Sequence, residues 1–82
     1  MSETTEARIA AIVQRVSKHK SAAPVPVDAD VFRELGVEST AALDLLLSIE
    51  DEFGVAVPDD AFSSARTVRA MTELIDSLRG AA

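Results

Sequence analysis

Few side chains in these 82 residues can do covalent chemistry. There is no cysteine and a single histidine, His19, so disulfides, a thiolate nucleophile and a thiolate metal site are all excluded. The hydroxyl that stands out is Ser39, in Gly36-Val37-Glu38-Ser39-Thr40, where a strong helical pattern begins and runs to Phe53-Gly54. A serine at such a point has two uses. Its oxygen can cap the helix by accepting from a backbone N–H two or three residues on. It can also carry a phosphate, because free N–H groups and the positive end of the helix dipole favour an anion there. Position alone leaves both readings open.

Nucleophilic catalysis by Ser39 would need a positioned base. His19 is far away in sequence and belongs to a different helix, where it reads as an exposed partner of the C-terminal dipole. The strand-turn-helix motif Gly-x-Ser-x-Gly is absent: Gly36 and Ser39 are wrongly spaced, and Ala41 stands where a second glycine would be. Carboxylates occur in pairs, but on what the pattern makes a convex helical surface, and a small bundle packed with Leu and Val has little room for a substrate cleft. Asp28-Ala29-Asp30 invites a calcium-loop reading. That loop would need a ligand at Phe32 and a glycine at Arg33. No catalytic residue and no metal ligand is therefore assigned, and the chain reads as a non-enzyme.

Charge distribution is more informative than the net value of −6. Between Glu34 and Ala65 the acids Glu38, Asp44, Glu50, Asp51, Glu52, Asp59 and Asp60 meet no Lys or Arg, whereas the first twenty residues hold Arg8, Arg15, Lys18 and Lys20 against Glu3 and Glu6. Phosphate contacts need clustered basic residues, so a nucleic-acid role is disfavoured. An acidic face steers basic protein patches instead, although a charge run taken alone is more often a solubility surface. The acidic, polar N-terminus is unlike a signal peptide. No apolar run is long enough to span a membrane, and the expected compartment is the cytoplasm.

The elements that must position Ser39 follow from the periodicity. Helix one is expected from residue 4 to about 20, with Ile9, Ile12, Val13 and Val16 on one stripe, Thr4 or Thr5 as its cap, and Lys18, His19 and Lys20 at its end. Pro24 and Pro26 forbid a continuous helix through the long connection 21–38. Val25, Val27, Val31, Phe32 and Leu35 can order that loop, with a turn started by Asp30 and closed by Gly36. Helix two runs from about Ser39 to Phe53. At 100° per residue Ala42, Leu45, Leu46, Ile49 and Phe53 share the core face, and Thr40, Asp44, Ser48 and Asp51 oppose it. Leu47 falls on the acidic face and Leu43 at its edge. Two leucines at i, i+4 bracketed by Asp44 and Asp51 form a small docking strip, apolar for contact and acidic for steering. A short third helix follows Pro58, capped by Asp59 or Asp60 and running through Ala61, Phe62 and Ser63. Thr67 caps helix four, with Val68, Met71, Leu74, Ile75 and Leu78 at helical spacing. The expected fold is all-α, a four-helix bundle with a long first loop and a short third helix. It forms one domain over 1–82 with an ordered core of about 4–79.

Taken in order, several pieces resemble the acyl carrier proteins. They are Glu34-Leu35-Gly36-Val37-Glu38-Ser39-Thr40, Leu43-Asp44-Leu45-Leu46-Leu47-Ser48-Ile49-Glu50-Asp51-Glu52-Phe53-Gly54-Val55, Val57-Pro58-Asp59-Asp60 and Thr67-Val68. The family pattern is Leu-Gly, then Asp-Ser-Leu, then a helix ending in Glu-x-x-Phe-Gly, an apolar-Pro-Asp stretch, and Thr-Val opening the last helix. No single piece is specific; the ordered series is. The resemblance implies that Ser39 bears 4′-phosphopantetheine, delivered from coenzyme A by a phosphopantetheinyl transferase. It also implies that acyl groups ride on the arm's thiol as thioesters. It gives Glu38, Thr40, Leu43, Asp44, Leu47, Glu50 and Asp51 as partner-contact positions, the partners being acyltransferase, ketosynthase or acyl-loading ligase enzymes with basic patches. The carrier is expected to be a monomer. The Met1 start and lack of linkers suggest a discrete carrier rather than a synthase module. Glu38 stands where Asp is usual. Thr40 stands where Leu is usual, which removes apolar area beside the serine. The alternatives are a peptidyl or aminoacyl carrier, which the acidic helix disfavours, and an unmodified carrier-like interaction module in which Ser39 only caps.

Overall fold

The computed structural model describes residues 4–17, 25–37 and 40–80. The described residues form four helices in chain order, α1 (Thr5–Val16), α2 (Thr40–Phe53), α3 (Asp59–Ser64) and α4 (Val68–Leu78), and contain no strand. The all-α bundle with a short third helix is thus the fold observed. Of the elements expected from sequence, Lys18, His19, Lys20, Glu38 and Ser39 lie outside the described residues.

α1 is capped by Thr4, whose Oγ1 accepts from the N–H of Ala7 at 3.1 Å. It ends at Val16, earlier than the expected limit near residue 20. Ser17 is extended (φ −67°, ψ 141°), and its hydroxyl donates to the carbonyl oxygen of Leu35. A tertiary bond to the first loop thus accompanies the end of the helix, a contact that periodicity does not report. α1 packs against both α2 and α4, and its Ile9 and Val13 are fully buried between them.

The core is completed by Leu45 and Ile49 of α2, Phe62 of α3, Val68, Met71 and Ile75 of α4, and Val31, Val37 and Val57 from the connections. Met71 fills core space as expected. Ala42, Leu46 and Phe53 pack at the core's edge rather than inside it. Phe53 is half-buried beneath two guanidinium groups, Arg8 at 4.7 Å and Arg79 at 5.6 Å from its ring centre. Leu78 keeps 38% of its surface exposed because it ends α4, beyond the buried Ile75.

The described part of the first loop, 25–37, is held by its apolar residues as its composition suggests, and by charge as well. Asp30 Oδ1 accepts from the N–H groups of Phe32 (2.9 Å) and Arg33 (3.0 Å), and the N–H of Glu34 donates to the Asp30 carbonyl at 2.8 Å. Gly36 closes the turn with φ 70°, a left-handed geometry that glycine adopts without a Cβ clash. The loop is then tied to the start of α4. Val31 N–H donates to the Arg66 carbonyl (2.8 Å) and Arg69 N–H to the Val27 carbonyl (3.0 Å). Arg66 bonds both oxygens of Asp30 (2.6 and 3.3 Å), and Arg69 both oxygens of Asp28 (2.7 and 3.1 Å). The aspartates that superficially suggest a cation loop are thus paired with arginines.

α4 is capped as expected, Thr67 Oγ1 accepting from Ala70 N–H at 3.0 Å. The start of α3 differs from expectation. Pro58 occupies the cap position without a side-chain bond, and Asp59 and Asp60 lie inside the first turn. Proline's set φ suits entry to a helix, and the two acids then complement the dipole from within.

The hydrogen bond from Arg69 lowers the pKa of Asp28, and that from Arg66, aided by the Arg33 and Phe32 N–H groups, lowers that of Asp30. A carboxyl with a depressed folded-state pKa stabilises fully above its unfolded value and loses that contribution as pH falls through the folded value. The stability these two pairs contribute should therefore decline as pH falls from the ordinary carboxylate range through the lowered values. Asp30→Ala should lower the melting temperature at pH 7 more than Asp28→Ala, because only Asp30 also bonds the loop backbone. Thermal melts followed by circular dichroism from pH 7 to pH 2 check both.

Candidate carrier site and docking face

Three features meet around α2: its N-terminal turn, an exposed strip along its outer face, and a groove that its inner edge shares with α3 and the first loop. Thr40, at the head of α2, is exposed. The first turn contains no acidic residue. An anion attached just upstream would meet the positive end of the dipole without a competing carboxylate in that turn. The residues present therefore fit a phosphodiester group. Glu38 and Ser39 themselves lie outside the described residues.

Leu43 and Leu47 are 55% and 54% exposed, as their angular position requires once Leu45 and Ile49 are inward. Asp44 and Asp51 are exposed beside them. The expected strip of two leucines bracketed by acids is present on the surface. Glu50 behaves differently from its neighbours. It is only partly exposed, and its Oε2 accepts from the N–H of Val57 at 2.8 Å. Its carboxylate holds the connection to α3, helped by Gly54, which turns the chain at φ 66°.

The α1 edge of the strip carries contacts that sequence reading missed. Arg15 Nη2 donates to Ser48 Oγ at 2.8 Å, and Ser48 Oγ donates to Asp44 Oδ1 at 3.1 Å. Arg8 pairs with Glu52 at 2.7 Å and also reaches its carbonyl. The only signal available was the contrast between a basic first helix and an acidic second one.

On the other edge, Phe32, Ala42, Leu43, Leu46, Asp59, Phe62, Ser63 and Arg66 line a groove of about 420 Å³. Phe32 and Phe62 meet edge to face at 5.8 Å. The Arg66 guanidinium, already held by Asp30, lies 5.0 Å from the Phe32 ring centre. The groove is within the size range of small-ligand sites, with Phe32, Ala42, Leu43, Leu46 and Phe62 as apolar walls beside Asp59, Ser63 and Arg66. Sequence pattern suggested none of its polar rim. Among the described residues no group of three His, Asp or Glu side chains is placed to hold a metal ion.

Residues 7–75 match the family model described as the phosphopantetheine attachment site. The chain belongs to this carrier family. It is 31% identical over 77 residues to an acyl carrier protein of Trieres chinensis, covering 94% of this chain and 95% of that protein. It is 31% identical over 58 residues to a probable acyl carrier protein of Caulobacter vibrioides (71% and 67% covered). It is also 31% identical over 72 residues to a mitochondrial acyl carrier protein of Dictyostelium discoideum, covering 88% of this chain and 56% of that one. The family fits the geometry: a phosphopantetheine carrier needs an anion-tolerant helix head and an accessible face, and α2 provides both.

The different surroundings of Glu50 and Leu47 predict separable effects. Glu50→Ala leaves the Val57 N–H without its partner and should cost about 1–2 kcal/mol. Leu47→Ala, at an exposed position, should change stability by no more than about 0.5 kcal/mol. Urea titrations of the two variants check this.

Proposed function

We propose that Ser39 carries the 4′-phosphopantetheine arm, and that this carrier delivers acyl intermediates to enzymes of fatty-acid, polyketide or related natural-product biosynthesis. The observation that carries the reading is the pairing of an acid-free helix head at Thr40, next in sequence after Ser39, with the exposed Leu43–Leu47 strip one turn further on. When attached, the arm supplies the thiol that holds an acyl group as a thioester. The chain's own residues have other tasks. The N-terminal turn of α2 favours the phosphodiester charge. The groove beside Leu43 and Leu46 offers apolar walls to whatever the thiol bears. Leu43 and Leu47 make apolar contact with a partner, and Asp44 and Asp51 steer and orient it, with Glu38 and Thr40 at the edge nearest the arm. Glu50 contributes by holding the path to α3. The chain supplies no catalytic group of its own.

The partners this surface suits are a phosphopantetheinyl transferase and then acyltransferase, ketosynthase or ligase enzymes that present basic residues around an apolar spot. Steering by charge gives fast encounter without tight binding, which suits a carrier that must also leave. Among the described residues no helix is long and apolar enough to cross a membrane. We read the protein as a monomeric cytoplasmic carrier spanning residues 1–82.

Incubation with coenzyme A and a promiscuous phosphopantetheinyl transferase should add one phosphopantetheine to the intact mass, and Ser39→Ala should abolish the addition. No mass increase with several transferases would sink the carrier assignment, and modification of Ser39→Ala would move the site elsewhere. On the loaded protein, Leu47→Ala and Asp51→Lys should reduce transfer to partner enzymes while leaving the helical circular dichroism unchanged. Unfolding of Leu47→Ala would show instead that the side chain belongs to the core.

A further inference from the structure

The acidic face of α2 is not an open row of carboxylates. Along its α1 edge Glu52 is held by Arg8. Asp44 accepts from Ser48, whose oxygen in turn accepts from Arg15. Both arginines come from α1 and line the edge of α2 opposite the groove that Leu43 enters, with Asp51 between that edge and the leucine strip. The seam between the helices is not packed shut. Arg8, Ala11, Ile12, Arg15, Ser48, Asp51 and Glu52 line a cleft of about 430 Å³. The arginines therefore have room to move aside, and a foreign basic side chain has room to enter.

We propose that Arg8 and Arg15 are specificity-determining residues that occupy, in the free carrier, the contacts a partner's basic residues take on docking; this rests on the docking reading above. A partner's arginine or lysine at Glu52 competes directly with Arg8, and one at Asp44 competes with the Ser48 hydroxyl that Arg15 holds. At Glu52 the net gain is the difference between two similar ion contacts, and at Asp44 it is reduced by the Ser48 bond given up and by the Arg15 charge one residue beyond it, so charge on this edge contributes little to affinity. Leu43, Leu47 and Asp51 are left to decide it. A partner that presents only positive charge is discriminated against, and one that presents an apolar centre beside its basic residues is selected.

Ser48 makes the idea testable without changing net charge. The apo full-length chain is used as substrate for a promiscuous phosphopantetheinyl transferase, with coenzyme A saturating, at low and high ionic strength. Arg15→Gln removes the competing cation, and Ser48→Ala cuts its link to Asp44. Each should lower KM for the carrier about two- to fivefold at low salt, the range one exposed ion contact can supply, with kcat unchanged and the effect fading at high salt. Arg33→Gln, on the exposed first loop, makes the same change in net charge and should leave KM within about 1.5-fold. Unchanged or raised KM for Arg15→Gln and Ser48→Ala would overturn the proposal, as would an equal drop for Arg33→Gln, which would assign the effect to net charge. Asp51→Lys is measured alongside. If it raises KM while the first two variants do nothing, the docking reading stands and the exchange fails. If it too leaves KM unchanged, the docking reading falls with it.

Discussion

The burial of Leu45 and Ile49 determines what α2 can show to the outside. These two residues are one turn apart and essentially inaccessible, packed against α1 and the rest of the core. With 100° between successive residues, their inward direction sets every other direction on the helix. Leu43 and Leu47, each two residues from a buried position, are turned about 160° away and must face solvent. Burying the leucine strip would take a rotation of similar size, and it would bring Asp44 and Asp51 towards the core, where an unpaired carboxylate is costly. The functional face is thus specified by the packing of the opposite one. Phe53, shielded by Arg8 and Arg79 at the last turn, limits such rotation further.

The long first loop is the second requirement, because it forms one wall of the groove beside α2. A stretch of this length lacks regular backbone pairing, and its polar groups must find partners elsewhere. Asp30 answers much of that need. Its carboxylate collects two N–H groups of its own turn and the guanidinium of Arg66, and Arg66 in turn lies against Phe32 in the groove wall. One aspartate therefore couples loop conformation, the start of α4 and the shape of the groove. The apolar residues Val31 and Val37 bury the loop, but the charged pair decides where Phe32 stands.

Much of this was legible in the sequence. Helix periodicity located α1, α2 and α4, Thr4 and Thr67 were readable as caps, and Gly36 and Gly54 marked stops that the backbone uses with positive φ. Leu43 and Leu47 were readable as surface residues because their angle conflicts with their hydrophobicity. What escaped were contacts between residues far apart in the chain: Ser17 with Leu35, Asp30 with Arg66, Glu52 with Arg8, and Arg15 with Ser48. Periodicity is a property of one element and carries no information on which charge meets which across elements. For the same reason Glu50 reads in sequence as one more surface acid, although it bonds a backbone seven residues on. Glu38 and Ser39 lie outside the described residues, so that part of the site rests on the sequence and on family membership.

The energetic scales of these contacts differ in a way that suits a carrier. A core leucine or isoleucine such as Leu45 or Ile49 is worth about 2–5 kcal/mol when truncated, a large share of the stability of so small a domain. An exposed ion contact like those between α1 and α2 is worth about 0–1 kcal/mol. The contacts a partner would disturb are therefore the ones the fold can spare. Docking can rearrange the arginines on α1 without loosening the stripe that orients α2, and the strip stays correctly presented through repeated association and release. Had the acids of α2 been held by buried pairs, each docking event would have worked against the bundle itself. Placing the exchangeable charges on the rim and the rotation-setting leucine and isoleucine in the core separates recognition from stability within a single helix.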